Sequence, residues 1–553
     1  MKLALTLLCA CAVSLWSSRS EACGCFTPPN PTVPVVQAGE RILFAVQNGQ
    51  VTAHVQVQYS GASGQEFGWL LPLPSVPTLE LGTDELFAQL TTTTQPRYQM
   101  NTVLSPECRQ SFGSGGGQGS TGGAAGGGTA SAVDAGGSGP SPLVVQDSVG
   151  PYDYAVLRAD SKMAMLDWLA SNRYFVPAGT DDSVAPYIRE GAFFLALKLR
   201  PGNTTGDLQP VVLHYASDLG VIPITLTSTG AQENMGVQVW MLGDSRAIPR
   251  NYNHTVLNDA VIDWPSRGAN YNDVIIRAVG EAPGKHTFVT EYAGSSSVMK
   301  DVLTPFGRFG SKSELAAKTT PEDFIDQLFF KSFASVSSLT PFGQPVLPGP
   351  LKAILAKYLP PPQGVSADTF YTYYRQFKDR APPPNFQPQA MADEIWDRVV
   401  LPVQNASALF TSMPVLTRLY STISPEDMNK DPAFSFNATL PNVSNLHVAT
   451  MNVFCSPGGN ETGALLVTEQ GWQLPYPNGR FAAVGFDRSR SPASLVIEVL
   501  REEGAPENVV NNIPAVQPLP AASCGCQSGA DGALVFAAML LALRLRSARS
   551  KSR

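Results

Sequence analysis

The stretch from Arg41 to Tyr59 restricts the fold more than any other. Two apolar runs, Arg41-Ile-Leu-Phe-Ala-Val46 and Val51-Thr-Ala-His-Val-Gln-Val-Gln-Tyr59, flank Gln47-Asn48-Gly49-Gln50. Asn and Gly tolerate the positive φ that a type I′ turn demands, so the pattern predicts a β-hairpin. In the second strand Val51, Ala53, Val55, Val57 and Tyr59 share one face, which leaves Thr52, His54, Gln56 and Gln58 for a solvated face. The next segment, Glu66 to Pro74, is apolar but interrupted by prolines, and is expected to be an edge strand leaving that sheet.

Strand signals continue at Ala192–Leu199, Val211–Tyr215, Ile222–Thr227, Val237–Leu242, Val274–Ala278 and Thr287–Tyr292, separated by Gly, Pro and Asn turns. Among them one helix, from Ser161 to Asn172, is capped by Asp160 and buries Met165, Leu166, Trp168 and Leu169. Residues 23–300 therefore read as an antiparallel β-rich unit, a sandwich or an open sheet packed by a helix. Inside it, residues 113–140 are dominated by Gly, Ser, Ala and Thr, too little apolar surface to order a chain, and read as a disordered surface insertion. Its Gly117-Gln-Gly119-Ser-Thr-Gly122 matches a nucleotide-binding pattern in letters only, since no strand precedes it and no helix follows.

From about Ser311 the apolar period becomes helical. Thr320-Pro321-Glu322-Asp323 supplies an N-cap, a proline at the first helical position and acids in the first turn; Ser424-Pro425-Glu426-Asp427 repeats the arrangement. Phe370, Tyr373, Tyr374 and Phe377, then Met391, Ile395 and Val399, mark core-facing helix stripes. Residues 301–432 thus read as mostly helical, 433–504 as a return to short strands, and 505–523 as a Pro-rich stalk. The fold class is α+β, with a β-rich N-terminal part and a mostly helical C-terminal part.

The two ends address the chain to the envelope. Residues 1–22 carry Lys2, an apolar stretch from Leu3 to Trp16 and Ser20-Glu21-Ala22, the form of a cleaved signal peptide. Cleavage there leaves Cys23 first; Ser20, where a lipoprotein signal carries an aliphatic residue, favours ordinary secretion. At the other end, residues 524–553 read Cys524-Gly525-Cys526, a small-residue spacer, an apolar run and five cations in the last ten residues, a bias that holds the tail on the cytoplasmic side of a membrane. Gly532 to Leu543 reaches only about 18 Å as a helix against a hydrocarbon core of about 30 Å, which suits a transient sorting signal better than a permanent span. The tail resembles the C-terminal sorting domain of myxobacterial surface proteins. The resemblance implies processing at Cys524 and Cys526, the export machinery and a sorting protease as partners, and anchorage at the cell surface or outer membrane after an inner-membrane intermediate.

Composition agrees with an exported protein rich in turns. Only 15% of residues are charged, 48 are Gly and 46 are Pro, and the formal net charge is −7 although the tail is basic. A body this acidic is not built to bind nucleic acid or anionic lipid. Of eight cysteines, Cys23, Cys25, Cys108 and Cys455 lie outside the two terminal signals. An even number in an exported chain points to disulfides. A Cys23–Cys25 bridge is strained at that spacing, so Cys108 and Cys455 are expected to be oxidised, bonded to each other or to the Cys23 and Cys25 pair. With no Cys-x-x-Cys and no His beside any of these, no metal site is expected.

A second resemblance covers the N-terminal half. Cys23-Gly24, Gln37-Ala-Gly-Glu-Arg-Ile42, Phe67-Gly-Trp-Leu-Leu-Pro-Leu-Pro74, Trp168-Leu169 with Tyr174-Phe-Val-Pro177, and Ile222-Pro-Ile-Thr-Leu226 are similar to the DUF2330 family of uncharacterised bacterial exported proteins. That resemblance implies a fold unit and no activity.

Reaction motifs are absent from the sequence: no His-Glu-x-x-His, Gly-x-Ser-x-Gly, Walker loop or Asp-x-Asp calcium loop occurs, and neither catalytic residues nor a cofactor is expected. The histidines, His54, His214, His254, His286 and His447, are isolated. His254, in a polar loop near Asp259 and Asp263, is the one most able to meet carboxylates. The expected function is that of a surface-anchored envelope protein, structural or binding an envelope or extracellular ligand. The alternative is an extracellular hydrolase whose site is assembled from dispersed residues.

Overall fold

The computed structural model describes residues 39–513, apart from 57–67, 109–140, 173–179, 202–207, 229–230, 301, 304–310, 331–346, 458–459, 478–482 and 484–485. The signal segment, Cys23, Cys25, the 113–140 insertion and the 524–553 tail lie outside the described residues.

A ten-stranded sheet organises the protein. In spatial order its strands are β21 (Glu507–Asn511), β20 (Ser494–Val499), β13 (Asn253–Leu257), β14 (Thr287–Ser295), β15 (Val415–Ile423), β11 (Met235–Gly243), β1 (Glu40–Gln47), β2 (Gln50–Gln56), β9 (Val211–Ala216) and β4 (Thr78–Leu81). The pairs β13–β14 and β1–β11 are parallel and the rest antiparallel. A three-stranded sheet orders β10 (Gly220–Val221), β16 (Ala433–Asn437) and β12 (Arg246–Pro249). One four-stranded sheet orders β19 (Gln473–Pro477), β18 (Glu461–Val467), β17 (Leu446–Cys455) and β5 (Arg97–Leu104). The other orders β3 (Gly68–Leu73), β8 (Phe193–Leu199), β7 (Tyr152–Arg158) and β6 (Leu143–Val149). These antiparallel-rich sheets with helices packed on them make the class α+β.

The apolar run Ile42–Val46 reflects a strand buried on both faces, as such runs do. Ile42 and Phe44 pack with Tyr152, Val156, Leu195 and Leu197 of the β3–β8–β7–β6 sheet, while Leu43 and Ala45 pack with the helices. The outer face of that smaller sheet, through Ala155, Leu157, Phe194 and Ala196, buries Met165 and Leu169 of the helix Lys162–Ser171. On the opposite side of the large sheet, helices Asp84–Thr94, Lys312–Ala316, Pro321–Phe330, Gly349–Tyr358, Ala367–Thr372, Pro388–Ile395 and Leu401–Ser412 share one core with Trp240 and Leu416.

Several local expectations hold. Asn48 (φ 54°) and Gly49 (φ 72°) turn the β1–β2 hairpin in the left-handed region. Thr320 Oγ1 accepts from the Asp323 amide ahead of helix Pro321–Phe330. β3, with Pro72 in it, is an edge strand, although of a different sheet from the hairpin.

Others are overturned. Val274–Ala278 is not a strand but lies within the helix Tyr271–Glu281, whose buried Tyr271, Val274, Ile275, Ala278 and Val279 recur at helical spacing. Within Ile222–Thr227, residues Ile224–Thr227 form a helical turn after Pro223. Ser424 does not cap: a single 3₁₀ turn, Pro425–Asp427, follows it, and its hydroxyl accepts from the Asn234 amide. The solvated face expected of β2 is covered by helix Asp84–Thr94; Gln56 donates to Asp84 Oδ1 at 2.7 Å, and His54 is buried. β15, in the stretch read as helical, is a central strand of the large sheet, and β21, in the stretch read as a stalk, pairs with β20.

Between helices Pro388–Ile395 and Leu401–Ser412 the chain makes a π-helical turn, Trp396–Val400. Pro402 has no N–H with which to continue the ladder to the Arg398 carbonyl four residues back. Gln209 substitutes: its Nε2 donates to the Arg398 oxygen at 2.9 Å and its Oε1 accepts from Arg398 Nε at 3.2 Å. The buried Gln209 is itself fixed by Tyr152, whose hydroxyl accepts from the Gln209 amide and donates to its carbonyl.

Candidate functional site

The polar chemistry of the interior gathers around an irregularity in β14. Its register against β15 shifts between Thr290 and Tyr292. Bulges of this kind re-aim side chains. Here Glu291 turns toward the helix Asp84–Thr94 side and Thr290 toward the three-stranded sheet.

On the helix side, Arg418 of β15 donates through Nε to Glu291 Oε2 at 2.5 Å and through Nη2 to Gln238 Oε1 at 2.8 Å. Tyr271 donates to Glu291 Oε1 at 2.6 Å, and Arg418 Nη1 donates to the Thr91 carbonyl at 3.2 Å. The guanidinium lies 5.4 Å from the Trp240 ring centre, and the Trp240 N–H donates to Thr94. Arg418 and Glu291 are 1% and 2% exposed, so this charge pair is desolvated and has its remaining hydrogen-bonding capacity filled by neighbours. Burial, then the nearby Glu291 charge, raises the Tyr271 phenol and keeps it a donor.

On the other side, Thr290, His254 and Glu498 form a row across three adjacent strands, β14, β13 and β20. His254 and Glu498 are cross-strand partners, with Nδ1 and Oε1 at 2.9 Å. Nε2 of His254 lies 3.0 Å from Thr290 Oγ1, and Arg246 Nη2 donates to that same oxygen at 3.2 Å. The carboxylate places the imidazole proton on Nδ1, so Nε2 is the acceptor and the Thr290 hydroxyl donates to it. Burial lowers the His254 pKa, the hydrogen bond to Glu498 opposes this, and Arg246 adds to the lowering. A neutral ring held by a carboxylate and facing a hydroxyl has the order of groups used in nucleophile relays. Here it is enclosed: His254, Thr290, Glu498 and Arg246 are 5%, 8%, 9% and 8% exposed.

His254 thus meets a carboxylate, but in a strand rather than a loop, and the carboxylate is Glu498. Asp259 instead accepts from Thr468 Oγ1 and the Gln470 amide, and Asp263 pairs with Arg488 at 3.1 Å. Burial raises Asp259 to about 6 against those hydrogen bonds. His54 is pushed down to about 3 by burial and then by the neighbouring His214. His214 contacts Thr52 at 3.0 Å, His286 donates to the Asp427 carbonyl, and His447 stacks on Tyr98 with centres 4.9 Å apart. Among the described residues no three His, Cys, Asp or Glu side chains come together as a metal site, and no helix is long and apolar enough to cross a membrane. Thr290, Arg246 and Glu498 carry no sequence signal; only the tertiary pairing of their strands brings them to His254.

Cys108 and Cys455 are joined, with Cα atoms 5.1 Å apart, at the C-terminal ends of the parallel pair β5 and β17. Of the pairings open in the sequence, this is the one present; Cys23, Cys25, Cys524 and Cys526 lie outside the described residues.

A mixed, predominantly antiparallel sheet between layers, crossed by buried charge networks and a disulfide, defines an α+β protein whose architecture names no reaction. The chain belongs to a family of uncharacterised proteins conserved in bacteria, DUF2330, whose family model matches residues 18–337. No curated protein and no solved structure matches it.

Proposed function

We propose that the protein is exported and works at the cell surface or outer membrane, held through its C-terminal segment, as a structural or recognition component of the envelope. The observation that carries this reading is the Cys108–Cys455 bond, which joins positions 347 apart in the chain. Such cross-links form and persist in oxidising compartments outside the cytoplasm. The signal-like residues 1–22 and the Cys-Gly-Cys, apolar and basic tail agree with it. Export machinery and a sorting protease would process the chain, and an envelope or extracellular component would be its ligand. Terminal sequencing of the purified protein is expected to give Cys23 as the first residue; retention of Met1 would sink the export reading.

The Glu498–His254–Thr290 row favours a second reading, an extracellular hydrolase. In that case Thr290→Ala would abolish ester cleavage by the purified protein while leaving the fold intact. No cleavage of simple aryl esters by the wild type would leave the row a structural clasp between β12, β13, β14 and β20.

A further inference from the structure

The helices over the large sheet carry a shallow, open depression of about 480 Å³ lined by Ser311, Lys312, Ser313, Gln389 and Trp396. It is open to solvent rather than enclosed, so it suits a ligand held against a surface by one face. One wall is a helix face carrying Gln389 and Trp396 at i and i+7; Asp393, at i+4 between them, is not itself in the lining but is bonded to the lining residues Lys312 and Gln389. The facing wall is the short segment Ser311–Ser313.

The polar groups of this depression are already ordered. Lys312 Nζ lies 2.7 Å from Asp393 Oδ1 and 4.0 Å from Asp397 Oδ1. Gln389 Nε2 donates to both Asp393 oxygens at 3.1 Å, and the Ser311 and Ser313 hydroxyls are 2.8 Å apart. Trp396 is half-buried against the helical core, so one part of the indole is fixed while another lines the depression. It also opens the π-helical turn; such turns are rare and concentrate at functional sites.

These features select a ligand. One cation stands against two carboxylates, so an anion gains nothing here, and the lysine is engaged by its acids. The indole offers an apolar face, while hydroxyls, an amide and a carboxylate offer both donors and acceptors. We propose that the depression binds a neutral saccharide, whose C–H face packs on Trp396 and whose hydroxyls exchange hydrogen bonds with Asp393, Gln389 and the serines. The proposal rests on the recognition reading above for its biological setting and specifies the ligand class.

The test is titration of the purified mature protein with maltose, cellobiose and chitobiose, followed by calorimetry and by tryptophan fluorescence. Tetramethylammonium and a uronic-acid disaccharide are run beside them. The expected result is saturable binding of at least one neutral disaccharide, weakened at least tenfold by Trp396→Ala. Asp393→Asn, an isosteric change at a partly buried position outside the apolar core, should weaken it similarly at nearly unchanged melting temperature, which separates loss of the site from loss of the fold. Absence of binding by all three neutral sugars, preference for the cation or the uronic acid, or binding undiminished in both variants overturns the proposal. A protein that binds sugar yet stays in the cytoplasm would instead contradict the export reading alone.

Discussion

Thr290 and Glu291 are consecutive residues of β14, yet one is bound to His254 and the other to Arg418, in two networks on opposite sides of the large sheet. Because successive residues of a strand face opposite sides of the sheet, this one dipeptide anchors both the layer of the three-stranded sheet and the layer of helix Asp84–Thr94, beside the register shift in β14.

The Arg418–Glu291 pair should therefore be costly to break and cheaper to remove. Arg418→Met leaves a buried carboxylate without its cation, an expected loss of about 3–5 kcal/mol by urea denaturation. Adding Glu291→Gln should cost less than the sum of the single changes, because the residues share one network. Additive losses would show that the two side chains act independently.

Acid should destabilise the protein through His54. Its folded pKa of about 3 lies below the unfolded value of 6.5, so the unfolded chain takes up the proton first. The stability it contributes is complete above the unfolded pKa and is lost as pH falls from 6.5 toward 3. Between pH 7 and pH 5 the loss is about 2 kcal/mol, and His54→Gln should flatten the stability profile by that amount. His254, also shifted down, adds to the slope in the same direction.

Gln209 replaces the hydrogen bond that Pro402 cannot make. Gln209→Ala should leave the Arg398 carbonyl without that donor and lower stability by about 1–3 kcal/mol. Pairing it with Pro402→Ala, which restores a backbone N–H, should recover part of the loss; no recovery would dissociate the glutamine from the π-helical turn.

The disulfide closes a long loop, so Cys108→Ser with Cys455→Ser should lower stability by about 2–5 kcal/mol. Thiol titration of the denatured, unreduced wild type should find Cys108 and Cys455 unreactive; reactive thiols at both would remove the cross-link from the account.

Where local chemistry alone decides the backbone, the sequence was sufficient. Asn48-Gly49 makes the turn whatever surrounds it, and Thr320 with Pro321 starts a helix because both act within one turn. Where a distant segment decides, the same patterns misled. The alternation in β2 implies a wet face for His54, but the covering helix begins at Asp84 and its approach has no signature in β2. Val274–Ala278 is four apolar or small residues interrupted by Arg277, and only the longer helical spacing from Tyr271 to Val279 identifies its state. The row at His254 is legible only after β13, β14 and β20 are set side by side, since Glu498 lies 244 positions from its histidine. Trp396 is hidden for the same reason: its depression needs Ser311–Ser313 packed across from it.

Display of this body outside the cell through its C-terminal segment is proposed above from its terminal segments and its disulfide. Its most direct test is surface labelling of intact cells with a membrane-impermeant amine reagent, for the wild type and for a chain lacking Cys524 to Arg553. The wild-type protein is expected to be labelled on intact cells, and the truncated body to appear folded in the medium with its Cys108–Cys455 bond formed. Labelling of the wild type only after lysis, or a truncated chain that remains with the cell, would contradict it.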